Sequence, residues 1–344
     1  MPVLISVLVL GFLICIHELG HFLVAKLVGI QVEEFSIGFG PKLFSFKTAK
    51  SPTRYSLRCF PLGGFVKMAG MDPASDQENG FNKKPLKDRI AVIAAGSVTN
   101  FLVAIVLFIF TFSIIGIPTP SNSNVIGEVV PGSPAARIGL KPGDRIIQVN
   151  ETPTDTWEKI ALNIHKRAWQ KTRLVIERDN KKYIFFVTPQ FDPKFQVGQI
   201  GIRQSLVWEK QSFSNAVKLG LSRAFSFAHL ILQGLIGTVT GAVPPEEIAG
   251  PIGITQMIGE AVRGGAGYLL SFTAILSINL ALINLLPIPA LDGSRLVFLF
   301  LEGIRGRPVD PEKENFIHLI GFALLMVLIL LITYNDLARL LTGH

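Results

Sequence analysis

Charge and cysteine are what this sequence has least of. Only 17% of its 344 residues are charged, against 49% that are hydrophobic. That balance excludes an ordinary soluble globule and leaves a membrane protein with at least one polar insert. The two cysteines, Cys15 and Cys59, supply neither a disulfide framework nor a Cys-x-x-Cys metal pair, so both are read as unpaired thiols. From Met1 to Ile16 there is no charged side chain. The same stretch lacks the basic n-region and the small-x-small cleavage site of a signal peptide, so it is read as a retained span. The net charge of +8 does not imply a nucleic-acid partner, because the basic residues cluster beside apolar runs, where membrane topology accounts for them.

Into the first apolar run the chain sets His17-Glu18-Leu19-Gly20-His21. Residues i and i+4 share a helix face, so His17 and His21 can reach one metal ion. Glu18 stands where a general base for water activation belongs. Such a pattern occurs by chance on surface helices of soluble proteins. At membrane depth chance is a poor explanation, because unpaired ionisable groups there are costly and mark function.

Four segments are long enough to cross a bilayer core: 1–30, 90–117, a third within 266–300 and a fourth within 316–341. The stretch 31–89 carries ten Lys and Arg residues and reads as cytoplasmic. The loop after the third span, with Arg305, Arg307 and Lys313, falls on the same side, which leaves 118–265 outside. Within the first loop, Tyr55, Leu57 and Cys59 alternate with polar residues, and Gly63-Gly64 reads as a turn. A β-hairpin over about 54–68 is therefore predicted, dipping toward the membrane under cover of protein. In the second span, Gly96 and Ser97 permit close helix approach and Asn100 can hydrogen-bond across helices, foremost as packing glue. The region 209–265 is predicted to contain an amphipathic helix along the outer interface, since Lys218, Arg223 and His229 interrupt its apolar residues.

Residues 121–190 are of a different kind. Ser133-Pro134-Ala135 is followed by Gly139-Leu140 and by Gly143-Asp144-Arg145-Ile146-Ile147-Gln148-Val149-Asn150, then by short strands between turns. This pattern resembles the PDZ domain of bacterial membrane and periplasmic proteases, and it occurs once. Such a domain takes an extended peptide on a sheet edge or serves as a gate that excludes bulky substrates, and the residues do not choose between the two.

The third span closes on Asn284-Leu285-Leu286-Pro287-Ile288-Pro289-Ala290-Leu291-Asp292-Gly293. Two prolines break the helix and free backbone groups, tolerable only where the backbone is buried in protein or lines a cavity. At 1.5 Å per residue His17 lies roughly 25 Å along its span, and Asp292 is about as far along a span entering from the same side. Two His and a carboxylate are a catalytic zinc set with one position left open. Of the other histidines, His165, His229, His318 and His344, none is better placed.

With these motifs in this order, nearly the whole chain resembles the site-2 protease family of intramembrane zinc metalloproteases, in its bacterial RseP-type branch. The resemblance implies a polytopic α-helical membrane protein of four transmembrane helices, with a membrane-re-entrant β-hairpin and one extracytoplasmic PDZ domain (α+β). It implies Zn2+ on His17, His21 and Asp292, with Glu18 as catalytic acid/base. Asn284 would position substrate, and Leu62, Gly63, Gly64, Phe65 and Asn100 are further candidates for substrate contact. It implies the cytoplasmic (inner) membrane of a bacterium, an active site near its cytoplasmic side, and single-span membrane proteins as substrates, such as anti-sigma factors or remnant signal peptides. Two departures bear on backbone shape: Ser97 where the family often has Pro, and Ser294 where a second Gly is usual. The rival readings are a zinc transporter or sensor without proteolysis, and a tethered PDZ scaffold.

Overall fold

The computed structural model describes residues 2–48, 52–71, 78–242, 244 and 249–342. They form two compact units, Met1–Ile114 with Ser212–His344, and Ile115–Gln211. The chain opens with helix α1 (Pro2–Leu27), followed by strands β1 (Val32–Lys47) and β2 (Arg54–Met68) and helix α2 (Leu86–Phe110). The α1 and α2 backbones meet closely at Gly20, where a Cβ would lie 2.5 Å from the Ala95 carbonyl oxygen and the Thr99 hydroxyl. Only glycine fits inside His-Glu-Leu-Gly-His at this crossing, the small-residue contact expected of helices packed in lipid.

The predicted hairpin over 54–68 is replaced by a larger sheet. Residues 34–37 pair on one side with 64–67 and on the other with 54–57, while 42–47 pair with 54–58. Each long strand is thus bent back, giving four rows in the order 60–68, 32–39, 54–58, 42–47. Gly63-Gly64 is not the turn: Gly64 pairs with Ile37 inside the sheet. The bend falls at Gly38 and Gly40, both at positive φ, where the rings of Phe39 and Phe60 pack around the corner. Arg58 ties this corner together, donating to Ser36 Oγ, to the Gly40 carbonyl and to Glu34. Burial alone would raise the Glu34 pKa, but hydrogen bonds from Ser56, Arg58 and Lys42 outweigh it and hold the carboxylate below its ordinary range. Its folded-state pKa being depressed, the stability it contributes is complete above the ordinary glutamate value of about 4.3 and is lost as pH falls through the lower folded value. Thermal unfolding in detergent should accordingly show a stability loss, as pH falls below the ordinary glutamate value, that is smaller in Glu34→Gln. An equal loss in both proteins would remove Glu34 from this account.

The second unit carries β3 (Ile117–Pro120), β4 (Ile126–Val129), α3 (Pro134–Arg137), β5 (Arg145–Val149), β6 (Thr152–Pro153) and α4 (Trp157–His165). β7 (Thr172–Arg178), β8 (Lys181–Val187), β9 (Gln190–Asp192), β10 (Val197–Gln199), β11 (Ile202–Gln204) and β12 (Leu206–Glu209) complete it. Strands β6-β5-β7-β8 form one sheet, and β11 pairs with β4. Ile126, Ile146, Ile160, Leu174, Ile176 and Ile200 are buried in its core. The polar residues of the Gly-Asp motif are used internally. Asp144 is buried and accepts from Arg178 at 2.6 and 2.7 Å and from the Lys141 amide at 2.8 Å. It is a structural carboxylate, paired as a buried charge must be.

The chain returns through α5 (Phe213–Val239), α6 (Pro251–Gly264), α7 (Ala266–Leu285), α8 (Asp292–Arg305) and α9 (Pro311–Thr342). Among the described residues five helices, not four, are long and apolar enough to cross a membrane, by length and composition. The additional one is α5, predicted as an interfacial helix. Ala216, Gly220 and Ala224 form its buried stripe, and it packs against α2 and α7. A Cβ at Gly220 would come within 2.8 Å of Ile109, Phe225 meets Phe101 edge-on and Phe227 stacks on Phe108. Lys218, Arg223 and His229 lie on its exposed faces. The packing face is thus a stripe of small residues rather than of large apolar ones, and hydropathy does not register such a stripe. The predicted third span also divides. α7 ends at Leu285, and Asp292 opens the separate helix α8, which Arg89 of α2 holds through an ion pair with Glu302.

Candidate metal centre and active site

Two helices, α1 and α8, bring the expected ligands together. His17 and His21 lie one turn apart on the α2-facing side of α1 and are both buried. Asp292 is the first residue of α8. His17 Nε2 and His21 Nε2 are 3.1 Å apart, and Asp292 Oδ2 lies 3.0 Å from the first and 3.2 Å from the second. His21 Nδ1 sits 2.8 Å from the Val92 carbonyl oxygen. A carbonyl only accepts, so Nδ1 carries the proton, and the Nε2 of a neutral ring presents a lone pair. Two acceptors, His21 Nε2 and the Asp292 carboxylate, therefore face each other in a largely buried place, an arrangement a cation satisfies. Tetrahedral ligands at zinc bond lengths stand about 3.3 Å apart, close to the three distances here. The donor set fits zinc.

Gly96 of α2 makes the arrangement possible. A Cβ there would lie 2.5 Å from His21 Nε2 and 2.6 Å from the His17 ring. Glycine at this position leaves the space into which both imidazoles turn. Gly293 permits a second close approach, since a Cβ there would strike the Leu286 carbonyl oxygen at 2.1 Å. The start of α8 can therefore dock against the end of α7.

A cavity of about 640 Å³ opens on the three ligand residues, with Glu18, Phe65, Val66, Leu291 and Arg295 also in its wall. Glu18 is half-buried, and its carboxylate accepts a hydrogen bond from the Val66 backbone amide. Gly64 is the close neighbour on the same row, with its Cβ position 3.3 Å from Glu18 Cγ. Of the other expected residues, Phe65 lines the cavity, whereas Gly63 packs under the Phe39 ring. Leu62 is part of β2, and its side chain lies outside the described residues. Asn284 sits half-buried in the last turn of α7, and Asn100 is fully buried on α2, where its backbone carbonyl oxygen accepts from the Ser277 hydroxyl at 2.7 Å. Neither is among the residues lining the cavity. Sequence reasoning passed over Arg295, His318 and Phe322, which do line it. Arg295 is one helical turn beyond Asp292 and was within reach of periodicity. His318 and Phe322 belong to α9, and no spacing links them to the motifs.

A buried histidine pair and an adjacent glutamate on a helix of membrane-spanning length, met by a carboxylate at the start of the distant helix α8, define a membrane-embedded metallopeptidase. Comparison with known proteins agrees: the model of Peptidase family M50 matches residues 5–328, and the chain belongs to that family. The zinc metalloprotease RasP of Geobacillus kaustophilus is 34% identical over 97% of this chain and 97% of the relative. The regulator of sigma-W protease RasP of Bacillus subtilis is 34% identical over 98% of each. Among solved structures, the PDZ domain of the SdrC-like protein of Listeria innocua is 23% identical, covering 24% of this chain and 92% of that domain at a TM-score of 0.22. The protein is thus a metalloprotease of several apolar helices, neither a transporter nor a tethered scaffold.

Proposed function

We propose that the chain is an intramembrane zinc endopeptidase that cuts within the transmembrane segments of single-span membrane proteins. The observation that carries this reading is the meeting of the His17, His21 and Asp292 donor atoms on one cavity that Glu18 also lines. In this reading His17, His21 and Asp292 hold the ion and Glu18 is the acid/base. Bound there, zinc supplies a Lewis acid that makes water more acidic and polarises a carbonyl. Glu18 accepts the proton of the attacking water and hands one to the leaving amine. The Val66 amide, donating to the same carboxylate, keeps it aimed into the cavity.

A transmembrane helix hides its own peptide bonds, so a substrate must unwind before attack. Residues 64–68 form an outer row of the four-row sheet, paired on one side only among the described residues, and 65–68 line the cavity. An unwound substrate pairs with this edge, gaining backbone partners that lipid does not offer. Phe39, Leu43, Phe44, Phe46, Leu57 and Phe60 are exposed on the bent half of the sheet, which supports its dipping into the membrane. Phe65→Pro disrupts this row beside the cavity and should reduce cleavage severalfold with zinc content unchanged. Loss of zinc in the same variant would refute the separation of roles.

Charge distribution places the site near the cytoplasmic side and the 115–211 unit outside. The apolar groove of that unit, about 220 Å³ between α4 and 199–202, is of the kind that takes a peptide. Since a relative is named regulator of sigma-W protease, a membrane-bound regulator of a sigma factor is the first substrate class to try, with remnant signal peptides the second. The purified full-length protein should cut a single-span model substrate inside its apolar segment, stop on chelation and resume with zinc. Protein that binds zinc and cuts no such substrate would sink the protease reading.

A further inference from the structure

The loop that delivers Asp292 is poor in internal support. Between Leu286 and Asp292, Pro287 and Pro289 contribute no amide hydrogen. The Ile288 amide bonds to Leu286 at 2.7 Å and that of Leu291 to Ile288 at 3.1 Å, both inside the loop. The one remaining amide, that of Ala290, leaves the loop for a side chain: it donates to His318 Nδ1 of α9 at 3.1 Å. Ala290 is also left-handed, at φ 80°, a conformation that a residue with a Cβ holds only when its surroundings impose it. Three residues along α9, Gly321 receives Pro289, and a Cβ there would sit 2.1 Å from the Pro289 Cβ. One face of α9 thus grips the two residues that set the turn into α8.

We propose that His318 is a positioning residue, whose Nδ1 holds Ala290 left-handed and so fixes the Asp292 carboxylate against His17 and His21. The ring is suited to the task. With Nδ1 accepting, the neutral ring carries its proton on Nε2, which faces the Glu314 carboxylate at 3.7 Å, a distance at which attraction persists without a hydrogen bond. Phe298 of α8 meets the ring edge-on, with centroids 5.8 Å apart, so the imidazole is braced from the helix it positions. This inference rests on the metalloprotease reading only where zinc is the readout.

The test uses full-length protein in detergent and four variants: His318→Leu, His318→Asn, Ala290→Gly, and His318→Leu combined with Ala290→Gly. Asn places an acceptor oxygen near the position of Nδ1, Leu offers none, and glycine adopts the left-handed conformation without help. Zinc affinity, measured by competition with a chromogenic chelator, should fall about tenfold or more in His318→Leu, the size of effect typical of groups that orient metal ligands. It should stay near wild type in His318→Asn and recover in the double variant. Amide hydrogen exchange in the 286–292 peptide, read by mass spectrometry on metal-free protein, should quicken in His318→Leu and not in His318→Asn. Unchanged exchange in His318→Leu, a defect in His318→Asn equal to that of Leu, or no recovery in the double variant would each overturn the proposal. Wild-type protein that binds no zinc counts against the metalloprotease reading alone, and the exchange measurement still decides the role of His318.

Discussion

Glu18→Gln is expected to lower peptide hydrolysis by about 10²–10⁴-fold with zinc content unchanged, the range lost with a general base. Glutamine matches glutamate in shape and can still accept from the Val66 amide, so the α1 helix and the edge of the sheet keep their contact. What it cannot do is take a proton from water. His17 and His21 lie on either side in sequence, but their Nε2 atoms face Asp292, so the donor set is left intact. Cleavage of a single-span substrate and bound metal, measured on the same preparation, decide the matter. Equal cleavage by both proteins would mean that another group moves the proton. Loss of metal in the variant would place Glu18 among the ligands.

Gly96→Ala is expected to weaken zinc binding by on the order of a hundredfold, about 2.7 kcal/mol, and to abolish cleavage at limiting zinc. One added methyl group meets His21 Nε2 at 2.5 Å and His17 Nε2 at 2.7 Å, the atoms offered to the ion. Either the rings rotate away or α2 moves, and α2 is tied to α1 where the backbones touch at Gly20. The variant separates packing from chemistry, because no ligand is changed. Excess zinc should restore part of the activity, which it does not do for Glu18→Gln. Wild-type zinc affinity in Gly96→Ala would show that the helices part without cost.

The candidate metal site was legible because two regularities expose it. The i, i+4 spacing of His17 and His21 on a charge-free run is a property of one helix. Asp292 follows from counting residues down a span that enters from the same side. Neither needs knowledge of the fold. The sheet was not legible in the same way. Alternation identified strand character around Tyr55 and Leu57, but a period of two does not say which neighbour a strand takes, and 34–37 take two. Gly63-Gly64 carries the residues of a turn and lies in a strand, because the bend was taken up at Gly38 and Gly40. The packing of α5 was not legible for a related reason. Its packing face is Ala216, Gly220 and Ala224, whose value lies in how closely another helix can approach.

By itself, then, the sequence determined the class of protein and singled out the residues proposed here as ligands and base, since those depend on residue types at short spacings and on the cost of charge in lipid. Tertiary structure alone decided the rest: that Gly96 clears space for both imidazoles, that the Val66 amide meets Glu18, that Asn100 and Asn284 stay out of the cavity, and that α9 grips Ala290 through His318. Each of these is a contact between elements far apart in the chain. Such contacts are set by backbone approach to within a few tenths of an ångström, and neither hydropathy nor periodicity carries that information.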